Sequence, residues 1–220
     1  MSEDSRRRTG RQLAQAAAAR GEPLAWFEEL YSRGDLSLIS WAELVPNPNL
    51  LVWAERERLD GRGRRALKVG AGLGDDAEAL AGLGFEVVAF DISPSAVELA
   101  KGRFPETAVS YCVGDVLAPP GEWLGAFDFV LEAYTLQVLP PELRPSAAKA
   151  MSETLAPGGT LLVITRGRDE SDPEGSMPWP LTAREVRELF EGLELLSFED
   201  YVDDEDPPVR RLRAAFRRGR

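Results

Sequence analysis

Beyond residue 64 the chain alternates short, continuously apolar runs with stretches of helical period, and this alternation limits the fold more than any other feature. Strands are expected at 66–69, 85–90, 108–113, 127–131 and 160–165, with helices at 75–83, 93–103 and 141–155. A further helix at 182–191 opens on a Thr182-x-x-Glu185 capping box, and two closing strands follow at 194–201 and 210–216. Apolar strands separated by helices belong to a parallel sheet covered on both faces. The expectation is an α/β fold of three layers, with about seven strands, mostly parallel and closed by a C-terminal β-hairpin. In that hairpin Leu212, Ala214 and Phe216 alternate with Arg211 and Arg213, which reads as an edge strand with one wet face. The acidic run 199–206 reads as the hairpin tip. Upstream, 1–11 reads as a disordered leader and 12–63 as an N-terminal helical lid, interrupted at Gly21-Glu22-Pro23; 64–220 is the main domain.

The first strand–helix turn reads Gly70-Ala71-Gly72-Leu73-Gly74-Asp75-Asp76. Glycines there let the backbone approach a ligand closely. The spacing is G-x-G-x-G, and Asp75 stands where a dinucleotide fingerprint needs its last glycine. Two carboxylates at a helix start repel a pyrophosphate and suit an ammonium or sulfonium. A purely structural turn is the alternative. Asp91 ends the second strand about 20 residues after Gly70, where an acid accepts both hydroxyls of a ribose, or else caps the next helix. Asp115 and Val116 follow the third strand, placed to meet an adenine amino group and ring. Glu132 to Gln137 follow the fourth, at the carboxyl edge where open α/β sheets bind ligands.

Histidine is absent from all 220 residues and Cys112 is the single cysteine. Ser-His-Asp triads, imidazole metal sites, cysteine clusters and internal disulfides are thereby excluded, and no metal is expected. The net charge of −11 divides into +2 at 1–11, +6 at 210–220 and −19 in between. A body so acidic repels a phosphate backbone, so nucleic acid is not an expected partner. The apolar stretches are too short to span a bilayer and no signal core follows the N-terminus, so no membrane partner and a cytoplasmic location are expected.

In this order and with these gaps, the glycine loop, Asp91, Asp115, the 127–132 strand and the Pro157-Gly158-Gly159 turn resemble the class I S-adenosylmethionine-dependent methyltransferases across about 64–166. The resemblance implies a Rossmann-like sheet and S-adenosylmethionine held by Gly70, Gly72, Gly74, Asp76, Asp91, Ile92, Asp115, Val116, Glu132 and Trp41. The glycine loop, the stretch 127–135 and Pro178-Trp179-Pro180-Leu181 resemble, more narrowly, the thiopurine, thiol and halide S-methyltransferases, in which an N-terminal segment with tryptophans folds over the cofactor. Trp26, Trp41 and Pro46 match that part. One position departs: many such enzymes carry an acid two residues before the first motif glycine, and here it is Lys68. The Asn/Asp-Pro-Pro-Tyr/Phe tetrad of nucleic-acid amino-methylating enzymes is replaced by Leu131-Glu132-Ala133-Tyr134.

Methyl transfer from a sulfonium is an in-line displacement that needs a base only if the nucleophile must lose a proton. Without histidine the candidates are Glu132, Asp128, Tyr134 and Tyr31. Glu132 and Tyr134 are read as catalytic, with Trp41, Tyr134, Gln137 and Trp179 as walls of the acceptor pocket. Each tryptophan also reads as plain core. A soft acceptor such as a thiol, thione or halide is favoured, with O- or N-methylation of a metabolite open. A cofactor-holding protein without turnover and a nicotinamide-dependent reductase are the rival functions. The chain is expected to act as a monomer or homodimer on a small-molecule methyl acceptor.

Overall fold

The computed structural model describes residues 3–205 and 207–220. Seven strands form one sheet: β1 (Arg65–Val69), β2 (Glu86–Asp91), β3 (Ser110–Val113), β4 (Phe127–Ala133), β5 (Leu155–Arg166), β6 (Glu194–Val202) and β7 (Arg210–Arg217). Their order is β3-β2-β1-β4-β5-β7-β6, with β1 to β5 parallel and β7 antiparallel to both its neighbours. The chain builds outward from β1 to β3, then returns to place β4 on the other side of β1. That reversal is the switch point where open α/β sheets leave a crevice at their carboxyl ends.

Alternation along the strands sorts the core into two faces. Leu67, Val69, Val130 and Val163 pack on one side with Met151 of α6 (Arg144–Thr154) and Val186 of α7 (Ala183–Leu189). Ala66, Phe129, Leu131 and Leu162 pack on the other, with Trp53 of α3 (Pro48–Arg56), Leu80 of α4 (Asp75–Gly82) and Val97 of α5 (Pro94–Arg103). The capping box at Thr182 is present, its hydroxyl accepting from the Glu185 N–H and the Glu185 carboxylate from the Thr182 N–H.

Four sequence expectations change. Residues 1–11 were expected to be a disordered leader, yet α1 (Glu3–Ala19) is helical from Glu3, in keeping with its run of Arg, Gln and Ala, good helix formers; residues 1 and 2 lie outside the described residues. α1 is held by Arg11, which donates to the Met177 carbonyl at 2.7 Å, and by buried Ala17 against α2 (Trp26–Tyr31). The last strand is not an edge: β7 lies between β5 and β6, and Arg211 and Arg213 are buried. Their charges are met across the hairpin, Arg213 by Glu199 at 2.6 Å and Arg211 by Asp203 and Glu205. Because β6 continues to Val202, the tip begins later than 199; Asp206 lies outside the described residues. The Pro157-Gly158-Gly159 stretch falls inside β5 instead of preceding it.

Phe129 is fully buried at the centre of the sheet, its ring 5.5 Å from that of Phe85 and 5.9 Å from that of Trp53. Phe129→Ala leaves a cavity that rigid strands cannot close, and a loss of about 3–5 kcal/mol is expected in urea unfolding. A loss below about 1 kcal/mol would show that the central sheet repacks freely.

Candidate functional site

At the carboxyl end of β1 the chain turns through the glycine loop. Gly70 has φ of 62°, and a Cβ there would lie 2.5 Å from the Thr135 Oγ1. Gly74, at φ 94°, caps α4, and a Cβ there would meet the Tyr111 hydroxyl at 2.5 Å. Asp91 at the end of β2 fixes the loop: its Oδ2 accepts the Gly72 N–H at 2.9 Å and its Oδ1 the Ser93 N–H at 3.0 Å. Burial pushes the Asp91 carboxyl up, opposed by those two bonds and by the charge of Lys68.

A cavity opens above this turn. Gly70, Gly72, Gly74, Asp76, Asp91 and Ile92 line one side, Asp115 and Val116 follow from the end of β3, and Tyr134, Gln137 and Trp41 close the other side. The structure thus brings these expected residues together. Asp75 also lines the cavity, but Arg103 holds it with bonds of 2.6 and 2.8 Å. Asp76 accepts the Asn47 N–H at 2.8 Å and lies 3.9 Å from the Lys68 ammonium.

Glu132 and Trp179 do not line the cavity. β4 runs two residues past its expected end, so Glu132 sits within the ladder opposite Val69 and Val163, fully buried. It does not touch the space where an acceptor would bind. Its Oε1 accepts the N–H groups of Thr135 at 2.7 Å and Leu136 at 2.9 Å, while Oε2 is buried without a partner. Burial raises its pKa to about 7, against the backbone bonds and the charges of Lys68 and Arg144. Trp179 packs with the N-terminal cluster and donates its backbone N–H to the Gln137 carbonyl; its neighbours Met177 and Pro178 form the wall instead. Trp26 is core, and Asp128 serves at the opposite end of β4, accepting the Arg65 N–H.

The carboxylate of Glu132 supports the turn that presents Tyr134. Tyr134 has φ of 65°, a left-handed conformation that costs a tyrosine roughly 1–2 kcal/mol and persists only where its surroundings impose it. Its hydroxyl accepts from the Asn49 Nδ2 at 3.2 Å, and the Tyr201 hydroxyl donates to the Asn49 Oδ1. The Arg211 guanidinium lies 5.1 Å from the Tyr134 ring centre. Burial nevertheless pushes the Tyr134 pKa up to about 12, with Arg211 acting in the opposite sense. Tyr31 also lines the cavity: burial and the charge of Asp91 raise its pKa, so it is not an ionised base at neutral pH, and its hydroxyl accepts the Trp41 indole N–H at 2.8 Å. Sequence reading missed Asn47, Asn49 and Arg211, whose partners lie far along the chain. Only the alternation of arginines with apolar residues hinted at the last.

Residues 66–159 match the family model described as a methyltransferase domain. A 2-heptyl-1-hydroxyquinolin-4(1H)-one methyltransferase of Mycobacteroides abscessus is 28% identical over 152 residues, 68% of this chain and 65% of that protein. A ubiquinone biosynthesis O-methyltransferase of Xanthomonas campestris pv. campestris is 37% identical over 108 residues, 48% of this chain and 44% of that protein. The chain is thus similar to methyltransferases through the domain at 66–159. It spans just under two thirds of the first relative and less than half of the second. The fold of this chain is shared by the N-methyltransferase NodS from Bradyrhizobium japonicum WM9 in complex with S-adenosyl-L-homocysteine, with a TM-score of 0.64, 22% identity, and coverage of 78% of this chain and 85% of that one. The cavity fits S-adenosylmethionine. Its donor set around the glycine loop is carboxylate-rich at Asp76, Asp91 and Asp115, which suits a sulfonium cation and a ribose diol and opposes a pyrophosphate. Among the described residues no helix is long and apolar enough to cross a membrane.

The pKa of Glu132 sets a pH dependence. Between its ordinary 4.5 and about 7 the unfolded chain ionises this carboxyl before the folded chain does. Stability therefore falls as pH rises through that window and levels above it. Glu132→Gln removes this slope, so urea unfolding of the variant should gain on the order of 3 kcal/mol relative to wild type between pH 4.5 and pH 8. Parallel profiles for the two proteins would mean that Glu132 ionises as an ordinary carboxylate.

Proposed function

We propose that this chain transfers the methyl group of S-adenosylmethionine to a small-molecule nucleophile that needs no side-chain base, with thiol, thione and halide acceptors favoured. When bound, the cofactor supplies a methyl group already activated on sulfonium. The chain's own task is then to hold the two reactants in line and exclude water, a contribution worth roughly 7–11 kcal/mol of barrier. Asp91 is assigned to the ribose, Asp115 and Val116 to the adenine, and Asp76 to the cationic end. Tyr134 is assigned to the acceptor as a hydrogen-bond donor, since its pKa of about 12 keeps it protonated at neutral pH.

The observation that carries this reading is the proton inventory of the cavity. The chain has no histidine, Glu132 is walled off although its pKa is about 7, and the phenols of Tyr31 and Tyr134 are pushed up. An acceptor that is anionic or lone-pair rich by its own chemistry meets that inventory.

A second reading is O-methylation of an acidic ring hydroxyl carried on an apolar body. Trp41, Leu44 and Val45 line the cavity and are 36%, 48% and 58% exposed, an apolar mouth suited to such a body. The curated relatives named above, one for an alkylated hydroxyquinolone and one an O-methyltransferase, fit it. The acidic body, −19 over 12–209, favours a small acceptor over nucleic acid.

Release of S-adenosylhomocysteine from a panel of thiophenol, iodide and 1-hydroxyquinolin-4(1H)-one separates the readings. Turnover of thiophenol or iodide above the hydroxyquinolone is the expected result, and the reverse order selects O-methylation. Asp91→Ala should weaken S-adenosylmethionine binding by roughly 10- to 100-fold in calorimetry, the loss expected for hydrogen bonds to a charged group. Unchanged affinity would remove Asp91 from the ribose.

A further inference from the structure

We propose that Lys68 and Asp76 form a paired seat for the α-amino-acid end of the cofactor, Lys68 receiving the carboxylate and Asp76 the ammonium. Lys68 is then a specificity-determining residue for the cofactor. This rests on the cofactor reading above and extends it to the position where the sequence departs in sign from the family pattern it resembles.

Lys68 is 2% exposed, yet it lines the cavity. A buried ammonium persists only where its charge and its protons are met. Two protons go to the carbonyls of Val69 at 2.8 Å and Gly70 at 3.0 Å, which also stiffens the glycine loop. The Asp76 Oδ2 stands at 3.9 Å, close enough for attraction but beyond hydrogen-bonding reach. The other Asp76 oxygen is taken by the Asn47 N–H. Among the described residues, one Lys68 proton and the Asp76 Oδ2 are therefore left without a hydrogen-bond partner, side by side in the cavity wall.

Among the described residues, the other charged groups beside the loop are placed differently. Asp75 is closed by Arg103, both oxygens of Asp91 hold backbone N–H groups, and Glu132 lies outside the cavity. Arg211 is engaged by Asp203 and Glu205, and Arg166 stands at the end of β5, two strands away from β1. An α-amino acid carries its ammonium and carboxylate on one carbon. Its two charges therefore match an adjacent anion and cation, each with one bond unspent. An acid at position 68 would anchor the ammonium and leave the carboxylate to the backbone; a lysine makes the carboxylate the anchored charge.

Calorimetry on the full chain tests this with S-adenosylhomocysteine, its decarboxylated analogue, which keeps the ammonium, and 5′-methylthioadenosine, which lacks the whole amino-acid end. In the wild type, loss of the carboxylate should cost at least tenfold in affinity. Lys68→Met should cut S-adenosylhomocysteine affinity at least tenfold, and Lys68→Glu further, while 5′-methylthioadenosine binds within about twofold of wild type. Equal affinity of the wild type for S-adenosylhomocysteine and its decarboxylated analogue would overturn the proposal, with no variant required. So would variants that bind S-adenosylhomocysteine as well as wild type, or that lose all three ligands in parallel. A wild type that binds none of the three overturns the cofactor reading itself.

Discussion

The buried carboxylate of Asp91 ties together the parts that make the cavity. One oxygen holds the glycine loop through the Gly72 N–H, and the other holds the start of α5 through the Ser93 N–H. Ser93 passes the connection on, its hydroxyl donating to Glu28 of α2 at 2.5 Å, where the Ser95 N–H and hydroxyl converge as well. The N-terminal helices are thus fastened to the same strand end that carries the acid. Burying the charge is unfavourable, and the backbone bonds offset it. The acid is at once a ligand candidate and a structural pin, so its placement is over-determined by the loop, the strand and the N-terminal helices.

Glu132 shows how differently the same chemistry is used one strand away. It also accepts two backbone N–H groups, but through a single oxygen, and nothing meets the other. Its bonds shape the turn that holds Tyr134 in a left-handed conformation at the cavity wall. Asp91 acts from the wall and Glu132 from behind it. The difference follows from two residues of strand length, because β4 ends at Ala133 and not at Leu131.

The alternation of apolar runs and helices made the sheet, its two covered faces and the position of the glycine loop legible, because each depends on local period and turn chemistry. Asp91, Asp115 and Tyr134 were legible as strand-end residues for the same reason. The hairpin was misread because its arginines look solvated in isolation. Only the register that sets Arg213 opposite Glu199 shows how buried guanidinium groups are neutralised. Asn49 was invisible for a related reason: its partners Tyr134 and Tyr201 lie 85 and 152 residues away. Where a strand stops was the least legible feature of all, and Glu132 was misplaced on that account.

The carboxylates near the glycine loop can be ordered by how much bonding capacity the fold has already used. Asp75 is consumed by a bidentate guanidinium, Asp91 by one backbone donor on each oxygen, and Asp76 by one donor on a single oxygen. Of these three, Asp76 has the most bonding left to give, and Lys68 beside it sets how a neighbouring anion must lie. Two residues of opposite sign thus orient a zwitterion where a single acid would only attract its positive end. On the base-free reading proposed above, orientation matters more than attraction, because alignment is then the chain's chief contribution to an in-line displacement.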